Sequence, residues 1–418
     1  MVLALSATIE RPTASAAPAP PGTWIVTLQD GVPVDSVAGA VRAPIRQRFT
    51  AAVTAFSAAL TPDQLSRLDA DPRVRSVTEN AVVAQLPRTV RRASPVAPST
   101  QFVPEGVRRV GGTLSPTARI DGVEQRIDAD IAVIDTGVDM HPDLRVVAQQ
   151  DCTGEGITAD TAGHGTEVAG VAAARDNRIG TVGVAPGAGL WGVRIFDAFG
   201  NVTLESLLCS LDYVRKNADR IDAVTLAFEN EGARASGTVC GITTRTGRER
   251  GGTKYQVVDP VDLAICRGTA AGLTFVASAG NDSADAASFV PAAYPEVITV
   301  SATSDTDGLP GGRGAPPFCF PTEDDDTFAS FSNFGRVVDL AAPGVCAYTT
   351  YPGGLYTTDV GTSFSAPLVA GAAALIRARD PRASFVTVYT RLQQLKERGP
   401  ILNDPDGIPE GLLNAAKL

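Results

Sequence analysis

Apolar and polar positions alternate in different ways before and after residue 100. Trp24-Ile25-Val26-Thr27-Leu28 alternates as a strand and stops at Asp30-Gly31. A helical stretch follows over roughly 35–49, and a second strand over about 51–57. Thr61-Pro62-Asp63-Gln64 has the form of a capping box with proline at the first helical position. Leu65 and Leu68, three apart, supply the apolar face of that short helix. Arg73 to Leu86 reads as a third strand with room for a fourth. Residues 87–100 (PRTVRRASPVAPST) show no apolar period and carry three arginines, so they read as an exposed linker. Beyond them the apolar residues run together instead of alternating. Ile131-Ala132-Val133-Ile134 and Leu273 to Ala279 are strands buried on both faces, the signature of a parallel sheet.

Four polar residues stand where these runs end. Asp135 closes the first, within AVIDTGVDMHPDL (132–144). His164 lies between two glycines at the head of a small-residue helix, AGHGTEVAGVAAA (162–174). Ser363 precedes another, GTSFSAPLVAGAAAL (361–375), which extends to roughly Arg379. Asn281 follows Gly280 at the end of the 273–279 run. A serine nucleophile, a histidine base and an aspartate that orients the base make one mechanism.

Only two histidines are present, so the base is His141 or His164. His141 sits in a Met-His-Pro-Asp turn and is placed to close that loop. His164, at a helix start, projects into the crevice beyond strand ends, where open α/β sheets bind ligands. It is the expected base, against the plainer reading of a loop histidine bonded to backbone. An isolated Gly-Thr-Ser would be no more than an N-cap. Here Pro367 in the first turn and Ala366, Ala370 and Ala372–Ala374 describe a helix wedged into a core with its first residue facing a cleft. Gly280-Asn281-Asp282 alone is a turn signal. Beside the other three runs, the Asn281 amide and the Ser363 N–H become two donors for an oxyanion.

With these runs the chain resembles the subtilisin family (subtilases), serine endopeptidases made with an N-terminal inhibitory propeptide. The resemblance extends from about residue 22 to the C-terminus and thins between 229 and 262. It implies Asp135, His164 and Ser363 as the triad and Asn281 as the oxyanion donor. The fold it implies is α/β, a mostly parallel sheet flanked by helices, preceded by a small α+β ferredoxin-like propeptide domain. The implied division is a leader over 1–21, an inhibitory domain over 22–86, a processing linker over 87–100 and a peptidase domain over 101–418. Gln101-Phe102-Val103-Pro104-Glu105-Gly106-Val107 is similar to the start of a mature subtilase. The implied partners are protein or peptide substrates and the chain's own propeptide as an intramolecular inhibitor. No cofactor is needed for such chemistry. Many relatives bind structural calcium, and the run Glu323-Asp324-Asp325-Asp326 is either a set of hard oxygen ligands or a solvated loop.

Two stretches depart from the family. Glu167 stands where relatives carry a second histidine; it either favours the helix dipole or raises the pKa of His164. Val224 to Asn230 replaces an Asn-x-Ser-Leu-Gly-Gly strand that pairs with substrate, and Phe228 and Glu229 take the place of small residues. Glu229 either selects basic residues before the cleaved bond or points to solvent. Residues 231–259 read as a surface insertion tied by Cys240 and Cys266. The altered 224–230 strand supports one rival to an endopeptidase, a catalytically idle subtilase fold that binds or inhibits a partner; a further alternative is an acyl-transfer enzyme on the same scaffold that makes peptide bonds.

The chain has 418 residues, 44% of them hydrophobic, which suffices for one large core and a small companion. A net charge of −10 argues against nucleic acid as a partner, and no apolar run reaches membrane-spanning length. Six dispersed cysteines without CxxC spacing predict disulfides rather than zinc. The expected pairs are sequential: Cys152–Cys209, Cys240–Cys266 and Cys319–Cys346. Ala14-Ser15-Ala16 resembles a signal-peptidase site, although a basic n-region is missing and Glu10-Arg11 interrupts the apolar segment. Secretion is the expectation.

Overall fold

The computed structural model describes residues 22–86, 95, 100–232, 238–246, 256–399, 401–408 and 410–418. The expected leader, nearly all of the linker and part of the 231–259 insertion lie outside them. The N-terminal unit comprises β1 (Thr23–Leu28), α1 (Val34–Val41), β2 (Ile45–Phe49), β3 (Ala55–Ala59), α2 (Pro62–Asp69), β4 (Val74–Glu79) and β5 (Val82–Gln85). Four of its strands form an antiparallel sheet in the order β2-β3-β1-β4. The capping box at Thr61 forms, with Gln64 as its reciprocal partner. The helix expected over 35–49 is shorter, however. Arg42 turns into the left-handed region at φ 55°, and Pro44 disfavours helix at Ala43. Residues 45–49 are therefore a strand, and the strand expected at 51–57 lies at 55–59. Val26, Leu28, Phe56 and Ala58 pack with Val34, Val37, Val41 and Leu68 into a core of the unit's own.

The larger unit is built on β6 (Asp130–Asp135), β7 (Val146–Asp151), α3 (His164–Ala173), β8 (Gly189–Arg194), β9 (Asn201–Thr203), α4 (Leu204–Lys216) and β10 (Ala223–Leu226). It continues through α5 (Pro260–Ala270), β11 (Thr274–Ser278), β12 (Val297–Thr303), β13 (Leu340–Pro343) and α6 (Thr362–Arg379). Seven of the strands form one sheet in the order β13-β12-β11-β10-β6-β8-β7, and every pairing in it is parallel. Successive side chains of β6 go to opposite faces. Ile131 and Val133 pack with α3 and α6, whereas Ala132 and Ile134 pack with α4 and α5. That is why the run is apolar at every position. The α6 helix approaches α3 so closely that a Cβ at Gly371 would meet the Ala172 carbonyl at 3.0 Å.

The small unit docks on α4 and α5. Its Ile25, Phe49, Val53 and Ala55 share a core with Leu208, Leu211 and Ile265. Asp212 Oδ1 accepts the backbone N–H groups of Thr50, Ala51 and Ala52 at 3.0, 2.6 and 2.9 Å. Glu205 accepts from the Ser57 hydroxyl and from Asn80 Nδ2. Beyond Asn80 the chain leaves its own sheet: β5 pairs antiparallel with β9, and Leu86 N–H donates to the Gly200 carbonyl at 2.8 Å. All three expected disulfides are present, with Cα–Cα separations of 5.6, 5.3 and 5.7 Å. No helix among the described residues is long and apolar enough to cross a membrane.

Candidate active site

At the middle of the sheet β6 lies between β8 and β10, so connections leave it in both directions. A crevice forms beyond the strand ends at such a point. Asp135 is the last residue of β6 and is fully buried. Both its oxygens lie 2.9 Å from His164 Nδ1, and Oδ1 also accepts the Thr136 N–H at 2.7 Å. His164 opens α3, where Gly165 is required: a Cβ there would collide with the Gly137 carbonyl. Burial disfavours the charged imidazole. Asp135, then Glu167 and Asp359, outweigh it and push His164 up to about 9. Its Nε2 is buried without a hydrogen-bond partner among the described residues.

Ser363 lies in the first turn of α6, behind Gly361. The adjacent Phe364 ring is centred 6.0 Å from that of His164, which brings the head of α6 to the head of α3. Ser363 Oγ donates to the Ala227 carbonyl at 3.2 Å. No side chain caps the helix. The Thr362 hydroxyl instead donates to Asn281 Oδ1 at 3.0 Å, and Thr362 N–H donates to the same oxygen at 2.9 Å. With Oδ1 so occupied, the amide nitrogen is the part of Asn281 free to meet a ligand. The four expected residues are thus brought together, from the ends of β6 and β11 and the starts of α3 and α6.

His141 plays the other part foreseen for a histidine. Its Nδ1 accepts the Asp143 N–H at 3.1 Å and its Nε2 lies 3.0 Å from the Leu355 carbonyl, closing the loop. Glu167 is fully buried and is one of the groups that raise His164. Glu229 does not point to solvent. Its two oxygens accept the Asn281 N–H at 3.2 and 3.1 Å, and burial with nearby Asp282 pushes it up to about 7.

In the run 323–326 only Asp324 is exposed to solvent; the other three acids are bonded within the protein. Asp325 accepts Thr306 N–H at 2.8 Å and Gly314 N–H at 2.7 Å, Asp326 holds Arg109 at 2.9 Å, and Glu323 takes Ser330. Asp325 also lies with Asp305 and Asp307 in a group whose carboxylate oxygens are within 4.8 Å of one another.

Two positioning groups escaped the sequence reading. Asp160 accepts from Thr136 Oγ1, Gly163 N–H, Thr166 N–H and Thr166 Oγ1 at 2.6–2.8 Å, tying the end of β6 to the start of α3. An acid four residues before a helix-opening histidine is its only local signal. Asp359, near His164 in space, has none.

Comparison with known proteins identifies the family. The family described as "Subtilase family" matches residues 128–400, and "Peptidase inhibitor I9" matches residues 23–85. An alkaline protease of Alkalihalobacillus alcalophilus is 29% identical over 87% of this chain and 78% of its own length. Subtilisin Savinase of Lederbergia lenta is 31% identical over 75% of this chain and 98% of its own. Among solved structures, a cold adapted subtilisin-like serine proteinase aligns at a TM-score of 0.54 with 25% identity. That alignment covers 73% of this chain and 97% of the other.

Proposed function

The chain belongs to the subtilase family of serine endopeptidases and carries an I9 inhibitor domain, and from that premise we propose that Asp135, His164 and Ser363 perform peptide-bond hydrolysis, with Asn281 as oxyanion donor. The observation that carries the assignment is the buried His164 Nδ1–Asp135 pair, with an unpartnered Nε2 on the far side of the ring. Ser363 Oγ turns from the Ala227 carbonyl to His164 Nε2, gives up its proton and attacks the substrate carbonyl. Asp135 holds the Nδ1–H tautomer and stabilises the imidazolium. The Asn281 amide and the Ser363 N–H bind the oxyanion. His164 then protonates the leaving amine, and water cleaves the acyl-enzyme by the same steps in reverse order.

Residues 22–86 act as the inhibitor and 101–418 as the peptidase, with cleavage in 87–100. Support comes from β5, which leaves the sheet of its own unit to pair with β9 of the larger one. Three disulfides favour an oxidising compartment and hence secretion. The net charge of −10 favours polypeptide over nucleic acid as substrate. Subtilase chemistry needs no cofactor.

A fluorophosphonate probe tests the assignment. The processed protein should be labelled on Ser363 and Ser363→Ala should not. An unlabelled, correctly folded wild type would make this an idle fold.

A further inference from the structure

The register between β10 and β11 ends at Leu226↔Ala277. Past that point the two chains separate: Ala227 turns its carbonyl toward Ser363, and Gly280-Asn281 turns toward the oxyanion position. If the proposed triad is correct, the attacked carbonyl lies between Asn281 and Ser363 N–H. The side chain of that same substrate residue then enters the gap between 227–229 and 279–281.

Glu229 crosses this gap. Both carboxylate oxygens reach Asn281 N–H on the opposite wall at 3.2 and 3.1 Å. Its Oε2 lies where a Cβ on Gly280 would have to be. The bulk of the carboxylate therefore sits against the floor of the gap. Its acceptor atoms face the protein backbone and not an incoming cation.

We propose that Glu229 is a specificity-determining residue that closes the pocket for the residue preceding the scissile bond, so that the enzyme takes glycine or alanine there and rejects large side chains. Size excludes them, not charge. The alternative of a lysine- or arginine-selecting acid would require a carboxylate with an oxygen turned to the open crevice.

The proposal rests on the protease reading, and one experiment separates the two. Processed wild type, Glu229→Gly and Glu229→Gln are assayed with peptide substrates differing only in the residue before the cleaved bond: Gly, Ala, Phe, Lys. Active sites in each preparation are counted with a fluorophosphonate. The readout is the ratio of kcat/KM for Phe over Ala, which cancels any general loss from releasing Asn281. Wild type should prefer Ala over Phe by at least about tenfold, the usual range for pocket size discrimination. Glu229→Gly should raise the Phe/Ala ratio about tenfold or more. Glu229→Gln, equal in size but neutral, should leave it near wild type.

A wild-type preference for Lys or Phe, or an unchanged ratio in Glu229→Gly, with active sites fully labelled, would overturn the specificity assignment alone. Absence of labelling and of all hydrolysis would overturn the protease reading, and this proposal with it.

Discussion

Asn281 shows how much a single side chain depends on its neighbours. Its carbonyl is held twice by Thr362 and its backbone N–H by Glu229, so the amide nitrogen is oriented before substrate arrives. Asn281→Ala should lower kcat by roughly 10²–10³ with little change in KM, a magnitude carried over from subtilisin itself. A raised KM at unchanged kcat would remove it from the oxyanion site. His164 allows a pH prediction. As the proposed base it must be neutral to act, and its pKa is raised to about 9 from the usual 6.5. The acidic limb of kcat/KM should therefore lie well above pH 6.5, with activity increasing as pH rises through the folded-state value. Glu167→Gln removes one of the carboxyl groups that raise His164, so the limb should move to lower pH; a pH–rate profile of the two proteins checks it. A limb that stays in place would show that Glu167 does not act on the imidazole.

Between elements, the contact that matters most for control is the turn after β2, which places three backbone N–H groups on one Asp212 oxygen. Hydrogen bonds to a charged group are worth more than neutral ones. Asp212→Asn should weaken inhibition of the mature enzyme by its separated propeptide roughly tenfold, read from the inhibition constant; an unchanged constant would mean that apolar packing alone holds the domain. Local pattern served well where it was strong, as at the Thr61 box and the β6 run. It misjudged 35–49 because Arg42 and Pro44 end the helix through backbone conformation, which apolar spacing does not report.

Across the whole molecule, the inhibitor domain, its β5 strand and the crevice form one chain, so the first cut should be intramolecular. Tethering makes the effective concentration independent of bulk concentration. Processing of the purified precursor should be first-order at any dilution and yield a chain beginning near Gln101. Ser363→Ala, made in a protease-deficient host, should keep residues 22–86 covalently attached on a gel. Processing of that variant at the same site would assign the cut to another protease.

The residues themselves determined which groups meet at the crevice, because a parallel sheet with both faces covered demands uninterrupted apolar strands and leaves polar residues only at their ends. Asp135 and Asn281 were legible for that reason, and His164 and Ser363 because small-residue helices must begin beside those ends. Six cysteines allow fifteen pairings, and the tertiary structure has the sequential one that was expected. What only the tertiary structure decided is how groups from distant segments act on these four. Asp359 bears on His164 from 195 positions away, Asp160 binds two elements together, and Glu229 turns inward across a gap that exists only once β10 and β11 are side by side. Charge, burial and steric closure are properties of neighbours in space, and no periodicity along the chain encodes them.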